Sequence, residues 1–169
     1  MATTFVKIQT VTLGSATATI SFTSIPQTYT DLKIVFSGRS ERTASAYDSL
    51  VAKFNSTATT YVSRRLYGEN QSAGADGVTT QLGAFSSNST TAGIFGSIEV
   101  YIPNYTSSNE KIRSSSSVAE NNDANAYGTQ LVTSKWNGTG AITEIELSGI
   151  SGSNFMTHTT ATLYGIKSS

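Results

Sequence analysis

The feature that most constrains the fold is the segment of residues 98–105, in which apolar and polar side chains alternate with a period of two. Such alternation is typical of a β-strand with one buried face and one face in solvent. Glu99 and Tyr101 share the solvent face, and Pro103 ends the strand because proline cannot donate a hydrogen bond to a neighbouring strand. The buried face carries Ile98, Val100 and Ile102. We therefore expect a central strand here.

The same alternation recurs along the chain, for example in residues 31–39, 48–54 and 158–166, with turn residues between the segments. No segment shows the 3.6-residue apolar period of a helix. Roughly ten short strands at intervals of about 8–12 residues predict an all-β fold, an antiparallel β-sandwich of the jelly-roll kind. Residues 1–169 are expected to form a single domain, with Trp136 in its core. Residues 68–77 contain three glycines and are expected to form a flexible loop.

Composition narrows the possible partners. Lys and Arg total 11, as do Asp and Glu, so no net charge attracts the chain to nucleic acid or to an acidic membrane surface. No apolar run approaches the roughly 20 residues of a membrane-spanning helix. Only 13% of the residues are charged, and Ser, Thr, Asn and Gly replace the missing charges. A surface so poor in charge is expected in a protein that packs into an assembly, or in a β-protein with a neutral, hydroxyl-rich face.

Candidate catalytic and metal-binding residues are few. Nucleophilic catalysis needs a base beside Ser or Thr, and His158, the only histidine, has no carboxylate near it in sequence. Glu144 and Glu146 would lie about 7 Å apart on one strand face, where solvent-facing glutamates are commoner than a glycosidase pair. The oxygen-rich segment 120–125 suggests Ca²⁺ but lacks the spacing of an EF-hand loop. We expect no enzymatic activity and no cofactor or metal.

Aromatic residues offer two interpretations. Tyr101, Tyr105, Tyr127 and Trp136 could line a sugar-binding groove, or they could pack in the core or against another subunit. A separate group, Tyr61, Arg65 and Tyr67, falls on one face of a strand over residues 61–67. Arg65 could stack in an interface or pair with a carboxylate such as Glu69.

Self-association is the expectation that these aromatics support. Tyrosine and arginine are enriched where surfaces become interfaces, and low charge leaves sheet faces and edges unprotected. Tyr61, Arg65 and Tyr67 are expected to point outward, and Tyr101 points away from the buried side of its own strand. These four residues are the candidate interface of a homo-oligomer. The alternative is that the aromatics belong to the packing face of a second sheet, which would make the chain a monomer that binds only its capsid or tail partner.

A family resemblance extends over nearly the whole chain. It rests on residues 22–26 (Phe-Thr-Ser-Ile-Pro), 29–32 (Tyr-Thr-Asp-Leu), 54–55, 64–68 (Arg-Arg-Leu-Tyr-Gly), 101–105 (Tyr-Ile-Pro-Asn-Tyr), 120–122, 136, 141–143, 154–155 and 161–166 (Ala-Thr-Leu-Tyr-Gly-Ile). In these segments the chain resembles a family of small virion proteins of tailed bacteriophages, many of them marine or cyanobacterial. The resemblance implies a β-sandwich that decorates capsids or belongs to tails and fibres, without enzymatic activity.

The expected function follows from the resemblance and the composition together. The chain is expected in the virion, as a capsid decoration or cement module that contacts itself and the major capsid protein or tail proteins. The resemblance favours a trimer. One alternative is a tail or tail-fibre module that binds a cell-surface glycan. Another is a carbohydrate-active enzyme, which the missing catalytic residues argue against.

Overall fold

The computed structural model describes residues 4–56, 61–69, 72–78, 80–119 and 128–167. These residues form twelve strands and no helix. A membrane-spanning helix is therefore absent from the described ranges. The strands are β1 (Phe5–Thr12), β2 (Thr19–Phe22), β3 (Asp31–Ser40), β4 (Tyr47–Phe54), β5 (Tyr61–Glu69), β6 (Ser72–Val78), β7 (Gln81–Ser87), β8 (Gly96–Ile102), β9 (Lys111–Val118), β10 (Thr129–Trp136), β11 (Ile145–Gly149) and β12 (Thr160–Ile166).

The strands form two sheets that share a hydrophobic core. The large sheet has the order β1-β12-β3-β8-β9-β10-β5-β6, and the small sheet has the order β2-β11-β4-β7. Neighbouring strands are antiparallel except where the end of β3 pairs in parallel with β7, through Arg39 with Ser86 and Ser40 with Ser87. This short parallel pairing joins the two sheets at one corner.

The strand order is that of a jelly roll with four additional strands. Without β5, β6, β9 and β10, the remaining eight strands follow the order 1-8-3-6 in one sheet and 2-7-4-5 in the other. This is the jelly-roll arrangement of two interleaved Greek keys. The four extra strands all extend the large sheet beyond β8. The predicted all-β sandwich is confirmed, with twelve strands where the sequence indicates about ten.

The core contains the side chains that the alternation predicts. In β8, Ile98, Val100 and Ile102 are buried, and Trp136 at the end of β10 is buried as well. Phe36 of β3 packs against Phe85 of β7, with ring centroids 5.2 Å apart. This contact links the large sheet to the small one.

The described part of the segment 68–77, which was predicted to be a flexible loop, lies in strands: residues 68–69 end β5 and residues 72–77 belong to β6, whereas residues 70–71 lie outside the described ranges. Gly74 lies opposite Tyr67, and a Cβ atom on Gly74 would come within 2.7 Å of the Tyr67 hydroxyl. Gly77 lies opposite Arg64 and makes similar room, because its Cβ would fall 2.9 Å from the guanidinium. Here glycine accommodates large side chains of the neighbouring strand, so the prediction of a flexible loop is wrong.

The serine-rich strand β9 faces the open edge of the small sheet. Ser115 Oγ donates to the carbonyl of Leu82, and Ser117 Oγ accepts from the amide of Ala84 at 3.2 Å. Gly83 between them has φ of +146°, and a Cβ there would lie 2.5 Å from Ser117 Cβ. An exposed strand edge invites pairing with other chains, and these serines cover it.

Two buried cations hold loops in place at opposite ends of the sandwich. Arg39 donates to the carbonyls of Thr90, Thr91 and Ile94, which lie between β7 and β8. Lys111 donates to the carbonyls of Ser107, Asn109 and Thr139, which join the loops around β9 and β10. Burial lowers the pKa of both side chains. These cations stabilise backbone groups that would otherwise lack donors.

Candidate interaction face

The side of the large sheet that points away from the small sheet, called the outer face below, is continuous over β8, β9, β10 and β5. Strand pairing brings Glu99, Ser116, Leu131 and Leu66 into one row across these strands. Two residues along, Tyr101, Ser114, Thr133 and Arg64 form a second row in the same order. The small side chains of Ser116 in the first row and of Ser114 and Thr133 in the second leave the surface low between taller neighbours.

The outer face concentrates exposed apolar side chains. Among the described residues, Ile150 is the one large exposed hydrophobic side chain that lies elsewhere. On the outer face the exposed fractions run from 38% for Tyr101 to 61% for Ile112. The full set is Phe5, Val62, Leu66, Tyr101, Ile112, Val118 and Leu131. The solvent side of an antiparallel sheet is usually polar, so this face has the composition of a contact surface.

Strand β9 reverses the usual polarity of a sheet. Its inward positions carry Lys111 and Arg113, which are 2% and 3% exposed. Its outward positions carry Ile112 and Val118, which are 61% and 50% exposed. The inward cations are needed there as donors to loop carbonyls, and the alternation then places the apolar side chains in solvent.

Two lysines of the outer face are neutralised within the chain, whereas Arg64 on the same face donates to the neutral carbonyl of Ser63 and keeps its charge. Lys33 pairs with Glu99 at 2.8 Å, and Lys135 pairs with Glu110 at 2.7 Å. Exposed pairs of this kind contribute little to stability, but they remove the field that would favour a strongly charged partner. The outer face therefore suits a partner surface that is itself close to neutral.

A groove of about 460 Å³ lies in the outer face. Ser114 and Thr133 belong to its lining from the middle strands, and Val62, Ile112 and Tyr101 are among the residues around them. Leu131 precedes Thr133 by two positions on the same side of β10 and is 55% exposed. A projecting leucine thus lies about 7 Å along the strand from the groove.

Tyr61 does not face outward as expected. It is 6% exposed, and its ring lies between the sheets with the Arg113 guanidinium 4.5 Å from the ring centroid. Its hydroxyl accepts from the amide of Phe54 in the small sheet. The prediction of an outward Tyr61 is wrong, because Arg113 and Phe54 provide polar and aromatic partners for it in the interior.

Arg65 and Tyr67 lie on the same inward-pointing side of β5, near the rim of the large sheet. Arg65 donates from Nε and Nη2 to the two carboxylate oxygens of Asp76, at 3.0 and 2.7 Å. Its guanidinium also lies 4.4 Å from the centroid of the Tyr67 ring. The hydrogen bond from Arg65 lowers the pKa of Asp76. Arg65 therefore has a carboxylate partner in Asp76 on β6, and the side chain of Glu69, the carboxylate named from the sequence, lies outside the described part of the structure.

Tyr101 lies on the outer face, as its alternation predicts. Its hydroxyl donates to Asp31 Oδ2 at 2.7 Å, and this hydrogen bond is the main cause of a raised Tyr101 pKa. Of the four candidate interface residues, Tyr101 is the one on the outer face. Tyr61, Arg65 and Tyr67 are on the other side of the large sheet, so the four do not form one surface.

The aromatic residues considered for sugar binding do not form an exposed groove. Tyr105 and Trp136 are buried, at 0% and 2% exposed, and Tyr105 donates its hydroxyl to the carbonyl of Pro26. Tyr127 lies outside the described residues. Tyr101 is thus the one member of this group that the structure places in solvent.

The glutamates considered for catalysis have separate partners. Glu144 accepts from the Ser56 hydroxyl at 2.8 Å, and Glu146 pairs with Lys53 at 3.3 Å. His158 is exposed in the loop before β12, with φ of +71°. Over the described ranges, no group of three His, Asp or Glu side chains is placed to hold a metal ion, and segment 120–125 lies outside those ranges.

The outer-face residues of β9 and β10 are the part of the site that the sequence prediction missed. The available signal was that Ile112 and Val118 fall on the same side of β9, opposite to Lys111 and Arg113.

Comparisons with known proteins assign no family to the chain. No protein-family model matches it, and no curated protein matches it significantly.

Proposed function

We propose that this chain is a structural protein of a bacteriophage virion, a capsid decoration module that acts by packing and without catalysis. The observation that carries the proposal is the outer face, where seven of the eight large exposed hydrophobic side chains of the described residues lie. Subunit contacts need such a surface, because burying apolar area supplies most of the free energy of association.

The interior supports the same proposal. Arg39 and Lys111 hold loops, and Ser115 and Ser117 cover the open edge of β7. A module that reinforces a shell must keep its shape, and contacts that exist only in the assembled state stabilise the shell by mass action. Jelly rolls are common in viral capsids and also in lectins, so the fold agrees with this role without specifying it.

The proposed partners are further copies of this chain and the major capsid protein. The family resemblance favours three copies and is compatible with a location on the head or on the tail. A glycan-binding role on the tail has less support, since two of the four aromatic side chains that motivated it, Tyr105 and Trp136, are buried.

Immunogold labelling of purified virions tests the proposal. Antibody raised against this protein is applied to virions of the phage that encodes it, with virions treated with pre-immune serum as the control. Label distributed over the head is the expected result. Label confined to the tail would replace decoration with a tail function, and virions without label would overturn a structural role in the particle.

A further inference from the structure

We propose that the outer face of the large sheet packs against the outer face of another copy of this chain. The inference rests on the proposed function and adds to it the surface through which the copies make contact. It assigns the contact to residues that the sequence prediction did not include, centred on Leu131 of β10.

Charge is the first argument for a second copy. Lys33 and Glu99 are paired within the chain, as are Lys135 and Glu110. Two strongly charged faces of one sign repel, whereas two nearly neutral faces can approach without that cost. A polycation finds no opposite charge on this surface, and the single cation Arg64 is far fewer than the several Lys and Arg contacts by which proteins hold nucleic acid.

Shape is the second argument. The outer face carries both a groove of about 460 Å³ and, beside it, a projecting Leu131 that is 55% exposed, with Leu66 opposite it on β5 at 59%. Two copies of this face can therefore exchange leucines and grooves. Ser114 and Thr133 are small enough to admit an inserted side chain between Val62 and Tyr101.

Area is the third argument. The large sheet has eight strands, and at standard strand spacing and length its outer face measures roughly 38 by 23 Å, about 900 Å². A stable interface takes about 800 Å² from each partner. The face is large enough for a stable contact between copies, and sheets that pack face to face commonly do so with interdigitated side chains.

The test compares the mass of the purified protein and its variants by light scattering at micromolar concentration. The wild type is expected at two or three times the 17.8 kDa of one chain. Leu131→Arg introduces a charge at the centre of the contact and is expected to give the single-chain mass. Ile150→Arg, at the one large exposed hydrophobic side chain found elsewhere among the described residues, is the matched control and should keep the wild-type mass.

Ser114→Arg provides a second variant in case Leu131→Arg does not fold, since it places a bulky cation in the groove from an exposed position. Circular dichroism and the urea midpoint establish that each variant is folded. A wild type of 17.8 kDa at every concentration would overturn the inference, as would an oligomer that both outer-face variants leave intact. Virion labelling is a separate measurement, so a failed contact between copies is distinguishable from a failed virion assignment.

Discussion

The guanidinium of Arg113 lies between the two sheets, 4.5 Å from the ring centroid of Tyr61 and 5.4 Å from that of Phe54. It donates to Ser134 in the large sheet and to the carbonyl of Thr80 next to β7. Burial lowers the pKa of Arg113 to about 10, so the side chain remains charged at neutral pH. Arg113 therefore joins the large sheet to the small one through hydrogen bonds and ring contacts.

Arg113→Ala is expected to destabilise the protein by about 3 kcal/mol, because it opens a cavity and removes the donor to the Thr80 carbonyl. Arg113→Met keeps much of the side-chain volume and removes a buried charge, so its cost should be clearly smaller. The free energies of unfolding come from urea denaturation. Arg64→Ala, on the exposed side of β5 in the same sheet, is the control and should change stability by no more than about 0.5 kcal/mol. Equal effects at positions 113 and 64 would contradict the bridging role.

Ser117→Ala is expected to cost about 1–2 kcal/mol, because it leaves the buried amide of Ala84 without its acceptor. Ser116→Ala is the matched control, since Ser116 is the preceding residue of the same serine run but points to solvent. Hydrogen exchange of the Ala84 amide should accelerate in the first variant and stay unchanged in the second. Similar exchange rates in the two variants would show that the edge of β7 does not depend on Ser117.

Lys111→Met should cost about 2–3 kcal/mol, since it removes the shared donor of the Ser107, Asn109 and Thr139 carbonyls. Lys135→Met breaks an exposed ion pair with Glu110, and its effect should stay below about 1 kcal/mol. Thermal and urea denaturation of both variants measure the difference. If the exposed lysine proved as important as the buried one, the assignment of Lys111 as a loop anchor would fail.

Local alternation was sufficient to predict the sandwich and its central strand. Ile98, Val100 and Ile102 are apolar at every second position, and one buried face is the way to satisfy that pattern in a sheet. The pattern carries no information on which strands pair, and the strand order of the large sheet comes from contacts far apart in sequence. The jelly-roll order is thus visible only in the structure, although the strand number and spacing favour it.

The predicted orientation of side chains was wrong where buried carbonyl groups need hydrogen-bond donors. Tyr61 was expected outside because its neighbour Arg65 is charged, but Arg113 and Phe54 hold it inside. The inward placement of Arg113 depends on the Thr80 carbonyl, 33 positions away in sequence. No local pattern in β9 indicates this need, so the shared side of Ile112 and Val118, although visible in the sequence, could not be recognised as the solvent side.

The ion pair of Arg65 with Asp76 allows a prediction about acid. Arg65 donates two hydrogen bonds to the Asp76 carboxylate and holds its pKa below the ordinary value of 3.8. The folded state therefore binds this proton less readily than the unfolded state does. The contribution of the pair to stability is fully present above the unfolded pKa and is lost as the pH falls through the folded pKa.

Arg65→Met should return the Asp76 pKa toward 3.8, as measured by NMR titration of the carboxyl carbon. The same variant should move the acid-unfolding midpoint to higher pH, because it removes a carboxylate interaction that persists in the wild type at low pH. Arg64→Met is the control, since the adjacent arginine points to the other side of β5 and leaves the Arg65–Asp76 pair intact. An Asp76 pKa that is the same in wild type and Arg65→Met would mean that the two side chains do not pair in solution.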